Sequence, residues 1–432
     1  MKTFSIDTLG CKVNQYESQQ IRELLEQFGL TQLETSERKS DLVVINTCCV
    51  THTASAKSRQ CIHKAQRLNP KAVIIVAGCL PSVQIGELNN PGKNVHLIRH
   101  RHTLAATLSQ IVNGKAEQPQ PVLGQLASFK GQTRAFLKVQ DGCDGYCSYC
   151  IIPKTRPVVH SKPVETVLAE AQKLVEAGHK EIVLTGVNLG AYGQKTVRRE
   201  RWDSQENSKL ADLLDRMAEI ANVARIRLSS LEPADVTPGL LDIFCKHRNI
   251  MPHLHLSLQS GSEAILKKMY RQYGAEEFKE KAELIKRKLD RPAITADIIV
   301  GFPGETDEDF QQTVETAKQI GFAKMHVFSF SPRKGTAAAS MRDVVDNKVI
   351  KQRSKLLRKL GVELGRKFRQ QFIGETATIL MENNNGQPGG RSERYFKVKL
   401  KNGTPSRKKN ELVKVKLLEN SEDGLNGQAL RR

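Results

Sequence analysis

The chain has 432 residues, 39% of them apolar, with 67 Lys and Arg against 46 Asp and Glu, a net charge of +21. That length calls for two to four domains rather than one small core, and the absence of any run of ~18 apolar residues excludes a membrane-spanning helix. Positive charge on this scale points to a polyanionic partner, nucleic acid ahead of a membrane surface.

The first ten residues, MKTFSIDTLG, lack the apolar stretch of ~7–15 residues that a secretory signal needs, so a cytoplasmic location is expected. Nine cysteines in that compartment argue for metal binding or catalysis rather than disulfides. Residues 1–115 alternate strand and helix patterns. KTFSIDTL reads as a strand, NQYESQQIRELLEQFG as a helix stopping at Gly29, and DLVVINT as a buried strand. THTASAKSRQCIHKAQRL is helical, AVIIVAG is the next strand, and NVHLIRH another. Such alternation implies an α/β domain with a parallel, doubly wound sheet.

Cys11 follows the first strand, Cys48 the second and Cys79 the third. Carboxyl ends of parallel strands share one edge, where such sheets bind ligands, so three thiols far apart in sequence are expected to meet there. The plainer alternative is that each is a small buried hydrophobe. Cys49, Cys61 and Cys245 hold no such position and read as structural.

Residues 101–131 begin as a helix and turn polar, with Pro and Gly, as a linker does. A second α/β series spans 132–345, with AFLKVQ, EIVLTG, ARIRLSS, HLHLSLQ, AITADIIVG and KMHVFSF as its strands. Helices such as VETVLAEAQKLVEAG and DEDFQQTVETAKQIG separate them. Six βα units predict an open, partial (β/α)6 barrel. Residues 346–370 form a basic helical connector, and Lys348 to Phe372 carries nine basic residues against one acidic. Residues 371–432, with 12 basic residues against 7 acidic, show short alternating strands and Gly/Asn turns. That pattern predicts a small β-barrel of the kind that binds single-stranded or looped nucleic acid.

The first strand of the second series leads into DGCDGYCSYCIIPKTR, with Cys143, Cys147 and Cys150 spaced C-x3-C-x2-C. Structural zinc wants four ligands, and His160 is the one near candidate for a fourth. Three thiolates on a glycine-containing loop suit a [4Fe–4S] cluster with one iron left open for an amine and a carboxylate.

This spacing, with Tyr149 before the last cysteine, resembles the signature of radical S-adenosylmethionine (SAM) enzymes. TLGCKVNQYES, VVINTCCVT, VAGC, CDGYCSYCIIP, LTGVNLGAYG, LSSLEP, HLHLSLQSGS and DIIVGFPGET follow in the order found in the methylthiotransferases of that superfamily. LGCKVN and INTC-x-VT look most like the branch acting on N6-threonylcarbamoyladenosine at position 37 of tRNA. The resemblance implies two [4Fe–4S] clusters, both with open irons. Cys143, Cys147 and Cys150 would hold the radical-generating cluster, and Cys11, Cys48 and Cys79 an auxiliary one that presents sulfur. It further implies S-adenosyl-L-methionine as cofactor, tRNA engaged at its anticodon stem-loop, a TRAM-like RNA-binding domain at 371–432, and an electron donor such as flavodoxin or ferredoxin. A monomer is the default. Methylthiolation of a ribosomal-protein aspartate or of isopentenyladenosine in tRNA are the alternatives within the family; a non-catalytic iron–sulfur RNA-binding or redox-sensing protein is the alternative outside it.

For the SAM pocket, strand-end residues Gly186, Asn188, Ser230, Glu232 and Gln259 are the candidates beside Tyr149. Gly301 and Gly304 are expected to shape a turn before the helix near Thr306. His253 and His255 alternate on a strand, so one of them is expected inside the barrel, buried and satisfied. Two departures stand out: KTRPVVHSK replaces the family's usual Arg-Gly and Ser-Arg, which bears on Arg156 and Lys162, and Leu-Pro follows Cys79 where relatives are more polar.

Overall fold

The computed structural model describes residues 1–33, 39–83, 88, 92–114, 123–202, 208–382, 388–401 and 408–430. The first sheet is built from β1 (Thr3–Thr8), β2 (Thr31–Gln32), β3 (Leu42–Thr47), β4 (Val73–Gly78) and β5 (Val95–Leu97). Its strands are all parallel in the order β2-β1-β3-β4-β5. Helices α1 (Lys12–Gln27), α2 (His52–Leu68), α3 (Leu80–Val83) and α4 (Leu104–Asn113) connect them. In β3, Leu42 and Val44 pack with Ile21, Leu25 and Leu108 of α1 and α4, whereas Val43 and Ile45 pack with Ile62 and Ala65 of α2. Both faces of the sheet are therefore covered, as parallel sheets require.

The second unit runs through β6 (Ala135–Lys138), β7 (Gln140–Asp141), α5 (Ile152–Thr155), β8 (His160–Ser161), α6 (Val164–Glu176) and β9 (Glu181–Thr185). It continues with α7 (Ser208–Ala218), β10 (Arg225–Leu228), β11 (Ser230–Leu231), α8 (Pro238–Lys246), β12 (His253–Gln259) and α9 (Glu263–Lys268). It ends with α10 (Ala275–Lys288), β13 (Ala293–Val300), α11 (Asp307–Ile320) and β14 (Lys324–Ser329). Parallel sheets β6-β9-β10 and β11-β12-β13-β14 meet where the chain passes Ser229 from β10 to β11. Among the described residues β14 does not pair with β6, so the six expected strands make an open barrel. On its open side α1 packs against β6, and Tyr16 of α1 belongs to the barrel's own core.

Local signals explain the boundaries. Thr306 and Asp309 form a reciprocal capping box on α11, and Gly321, at φ +68°, ends it. Gly301 and Gly304, at φ +79° and +76°, shape the preceding turn as expected. By contrast the N-cap of α1 is Cys11, whose side chain makes no capping bond. Ser, Thr, Asp or Asn there would be worth about 1 kcal/mol, so the thiol is kept at a cost to the helix.

After the barrel, α12 (Asn347–Gln370) lies along β14. Strands β15 (Thr376–Glu382), β16 (Gly389–Arg391), β17 (Lys397–Leu400), β18 (Leu412–Asn420) and β19 (Leu425–Ala429) close a five-stranded barrel, order β15-β16-β17-β19-β18. It is seated on the amino-terminal ends of the large barrel's strands. Arg227 donates to the carbonyls of Glu393 (2.7 Å) and Ser392 (2.8 Å) and to Glu181 (2.8 Å). Arg225 donates to the carbonyls of Thr378 and Arg391. Tyr395 carries the guanidinium groups of Arg134, Arg227 and Arg391 over its ring.

Candidate functional site

The first trio assembles at the carboxyl edge of the parallel sheet. Cys11 follows β1, Cys48 follows β3, and Cys79 follows β4. A Cβ on Gly10 would sit 3.1 Å from the Cys48 sulfur. Burial, with the nearby Cys79 and Cys11 thiols adding to it, pushes the Cys48 thiol up to about 11. The turn before Cys79 admits no other residue than glycine: Gly78 has φ +91°, and a Cβ there would lie 2.4 Å from the Thr47 carbonyl oxygen.

Cys49, read as structural, lies buried against this trio. Its thiol donates to Cys79, and that bond, with the Arg156 and Arg101 cations, holds Cys79 well below the usual thiol range despite burial. Cys61 contacts Asp7 at 3.4 Å and packs against the apolar cluster that holds Cys49 and Cys79, and Cys245 is exposed.

The second trio sits on the loop between β7 and α5. Gly142 has φ +79°, and a Cβ there would lie 1.7 Å from the Val158 carbonyl oxygen. Three backbone bonds stitch this loop to the barrel: Ser148 N–H to Met269 O (3.0 Å), Ala338 N–H to Ser148 O (2.8 Å) and Cys143 N–H to Arg156 O (2.8 Å). The Gly145 amide points at the Cys143 sulfur at 3.4 Å, the contact that thiolate clusters accept. Burial pushes the Cys143 and Cys150 thiols up to about 12, so both are protonated at neutral pH and metal binding there releases protons.

Arg271, which the sequence reading passed over, donates to the Cys147 sulfur at 3.0 Å and to the Tyr149 hydroxyl at 3.4 Å, and pairs with Glu232. Tyr149 stands edge-on to Phe302, 6.5 Å between centroids. Glu232 Oε2 is buried with no hydrogen-bond partner among the described residues, although Arg199 stands 3.8 Å away.

The other sequence candidates lie as follows. Gln259 adopts φ +64° beside a register shift in β12. A left-handed conformation costs a non-glycine residue about 1–3 kcal/mol, so the surrounding structure must hold it there. Ser230 is exposed on β11 opposite His255. Asn188 donates its amide to Gln140 Oε1 at 2.8 Å. Gly186 lacks a positive φ, and the space its Cβ would need is taken by Gln140, 3.0 Å away; it serves packing against its own chain. His160 pairs with Asp141 in the β7–β8 ladder.

The reading of the barrel histidines needs correction. Residues two apart on a strand share a face, and His253 and His255 both turn inward, with Leu254 and Leu256 in the core on the other side. His253 is buried but only half satisfied: its Nε2 meets Thr295 Oγ1 at 3.4 Å, while its Nδ1 has no hydrogen-bond partner among the described residues.

Arg156 joins the two cysteine loops. Its guanidinium grips both oxygens of Glu17 at 2.7 Å, Asp141 at 2.7 Å and Asn14 Oδ1 at 3.4 Å. The Cys11 thiol points at the same Asn14 oxygen, 3.8 Å away. The Arg156 carbonyl meanwhile receives the Cys143 amide. Lys138 bonds Asp141 and Glu17, and Arg101 reaches Glu17 (3.6 Å) and the Cys79 sulfur (3.4 Å). Lys162, the other residue in the departing segment, pairs with Glu170 and Tyr16 behind this cluster. A cavity of about 340 Å³, lined by Asn46, Gly78, Arg101, Lys138 and Asp141, opens between sheet and barrel.

Comparisons with known proteins agree with this architecture. The radical SAM superfamily profile matches residues 137–317, and the profile described as uncharacterized protein family UPF0004 matches residues 3–99. In fold the chain is similar to the radical S-adenosylmethionine methyltransferase TsrM from Kitasatospora setae, solved with cobalamin and a [4Fe–4S] cluster bound. That match has TM-score 0.57 at 13% identity and covers 78% of this chain and 77% of TsrM. The open barrel thus defines a radical SAM fold.

Two relatives named threonylcarbamoyladenosine tRNA methylthiotransferase MtaB, from Chlamydia pneumoniae and Bacillus subtilis, are each 36% identical. The matches cover 99% and 100% of this chain and 98% and 97% of theirs. A tRNA-2-methylthio-N(6)-dimethylallyladenosine synthase from Bartonella bacilliformis is 33% identical over 90% of this chain and 88% of its own. The chain belongs to the radical SAM methylthiotransferase family.

Membership brings [4Fe–4S] clusters and S-adenosylmethionine, and the cysteine geometry fits the clusters. A single tetrahedral zinc at ~2.3 Å from each sulfur would draw the sulfurs within about 4 Å of one another. Among the described residues the group with three ligand atoms inside 4.8 Å is Asp215, Glu219 and His247. Neither cysteine trio is drawn in so tightly, and three thiols apiece are the donor set that a cluster with one open iron would take.

Proposed function

We propose that this chain is a tRNA-modifying methylthiotransferase that converts N6-threonylcarbamoyladenosine at position 37 to its 2-methylthio derivative. The observation that carries the reading is the pair of cysteine trios at strand ends, joined through Arg156. One trio, Cys143, Cys147 and Cys150, holds the radical cluster; the other, Cys11, Cys48 and Cys79, holds the auxiliary cluster. The chemistry these cofactors supply is removal of hydrogen from an unactivated carbon by an adenosyl radical, with sulfur and a methyl group delivered afterwards. Adenine C2 carries no leaving group, which is why such chemistry is needed.

The chain's own residues set the stage. Arg271 holds Cys147 and Tyr149 on one side and Glu232 on the other, leaving a buried Glu232 oxygen to accept from the amine of bound S-adenosylmethionine. Gln259 ends β12, and Ser230 on β11 stands beside His255 of the same strand. Arg101 and Arg156 fix Cys79 and Cys11 opposite. Residues 1–115, 132–345, 346–370 and 371–432 act as the sulfur-presenting unit, the radical barrel, the connector and the TRAM-like RNA-binding unit. The tRNA is gripped at its anticodon stem-loop through the +21 charge. A small cytoplasmic electron donor of the flavodoxin or ferredoxin kind completes the system, and the enzyme works as a monomer. No described helix is long and apolar enough to cross a membrane.

The test is incubation of the reconstituted enzyme with S-adenosylmethionine, reductant, sulfide and a stem-loop carrying the threonylcarbamoyl base, followed by nucleoside mass spectrometry. Appearance of the 2-methylthio nucleoside supports the reading. Its absence, with 5′-deoxyadenosine still released, refutes the substrate.

A further inference from the structure

The strands on the open side of the barrel carry a polar layer that neither cluster uses. Along β12, β13 and β14 one face is apolar: Leu254, Leu256, Ile294, Ala296 and Ile298 lie in the core, with Met325 and Val327 packed on it. The opposite face carries histidine, aspartate and lysine. His255 Nδ1 lies 2.8 Å from Thr295 Oγ1, and its Nε2 lies 3.3 Å from Asp297. Asp297 pairs in register with His326, whose ring meets that of His255 edge-on at 5.6 Å. Lys324 lies two residues before His326 on the exposed edge strand.

Charge in this layer is lopsided. Lys12, the residue after Cys11, and Lys324 both act on His326, against the single carboxylate of Asp297. Lys12, Arg227 and Arg391 act on His253 one step below. An apolar ligand seated on this half-exposed face would cover these polar groups and give them no partners in place of water. The layer is therefore built for a ligand with a negative charge and hydrogen-bonding groups.

We propose that His255, Asp297, Lys324 and His326 form the seat for the anionic substituent on N6 of the target adenosine. The proposal rests on the tRNA reading above and deepens it. A threonylcarbamoyl group offers one carboxylate for Lys324, and a hydroxyl and ureido N–H for Asp297 and the histidines. A dimethylallyl group offers none of these. The layer is thus a specificity device: it separates substrates that share the same C2 position and the same stem-loop.

The experiment measures dissociation constants of the cluster-loaded enzyme for one stem-loop carrying threonylcarbamoyladenosine, dimethylallyladenosine or plain adenosine at position 37. The wild type is expected to favour the threonylcarbamoyl form over plain adenosine by about tenfold or more, the worth of a charge-assisted contact. Lys324→Ala and His326→Ala, on an exposed edge, are expected to erase that preference while leaving affinity for the plain stem-loop and for S-adenosylmethionine unchanged. Lys324→Arg is expected to restore it. The proposal is overturned if both alanine variants keep the preference or lose affinity for all three stem-loops alike. It is also overturned if S-adenosylmethionine binding weakens in step, since the layer would then hold the cofactor's carboxylate. A wild type that methylthiolates the threonylcarbamoyl stem-loop yet binds all three equally removes the layer alone. One that binds all three equally and forms no product removes the substrate reading as well.

Discussion

Arg156 shows how much of the site depends on one side chain. Replacing it with Ala leaves Glu17 and Asp141 buried and unpaired on that side, a change worth 3–5 kcal/mol where a buried pair is broken. It also frees Asn14 and Cys11 from the loop that carries Cys143. We expect Arg156→Lys, which keeps the charge but loses the fork, to fold, to bind iron at both trios and to release 5′-deoxyadenosine, while methylthiolated product falls by about 10²-fold as the reacting groups lose register. Product and 5′-deoxyadenosine falling together would contradict that role. The same cluster sets a pH dependence. Burial raises the Glu17 carboxyl, but Arg156 and Lys138 outweigh it and hold the group below its ordinary value of 4.5. Its pairing therefore stabilises the fold fully above that value and is lost as pH falls below it. Melting temperatures between pH 6 and about pH 3 should drop more steeply for the wild type than for Glu17→Gln.

At the scale of elements, the cysteine trios were legible because parallel strands have one productive edge, and counting thiols at strand ends finds it. Glycine before cysteine recurs at Gly10, Gly78 and Gly142, each with positive φ, so the sequence also marks where the chain must turn sharply. Gly142→Ala is expected to displace the Val158 backbone and to halve iron content, from about eight to about four atoms per chain; unchanged iron would show that the loop relaxes cheaply. The partners of the cysteines were not legible. Arg271 lies more than a hundred residues beyond Cys147, and Arg101 sits in a segment read as the start of a linker, so only the closed-up fold brings them to sulfur. Cys49 is buried as a structural cysteine should be, but its bond to Cys79 was not legible, because a place beside a ligand in sequence does not say which way a thiol points. The two barrel histidines were misjudged by treating residues two apart as opposite-facing. The short β2 and the break between β10 and β11 left no pattern strong enough to read.

For the whole molecule, charge and docking decide how a large substrate reaches a small site. The C-terminal barrel is fixed to the floor of the large barrel through Arg225, Arg227 and the cations around Tyr395, so its basic strands keep a set position relative to the open side where both trios lie. Binding of tRNA should be steeply salt-dependent, losing on the order of 10²-fold or more between ~50 and ~200 mM monovalent salt if several phosphates are contacted; a flat dependence in a titration would mean that the +21 charge serves something else. The central claim is methylthiolation of the threonylcarbamoyl base, and the most direct test is nucleoside mass spectrometry of tRNA from cells with and without this protein. The account expects 2-methylthio-N6-threonylcarbamoyladenosine to vanish and its unthiolated precursor to accumulate, both reversed by the intact gene but not by one encoding Cys147→Ala. An unchanged nucleoside profile would contradict it.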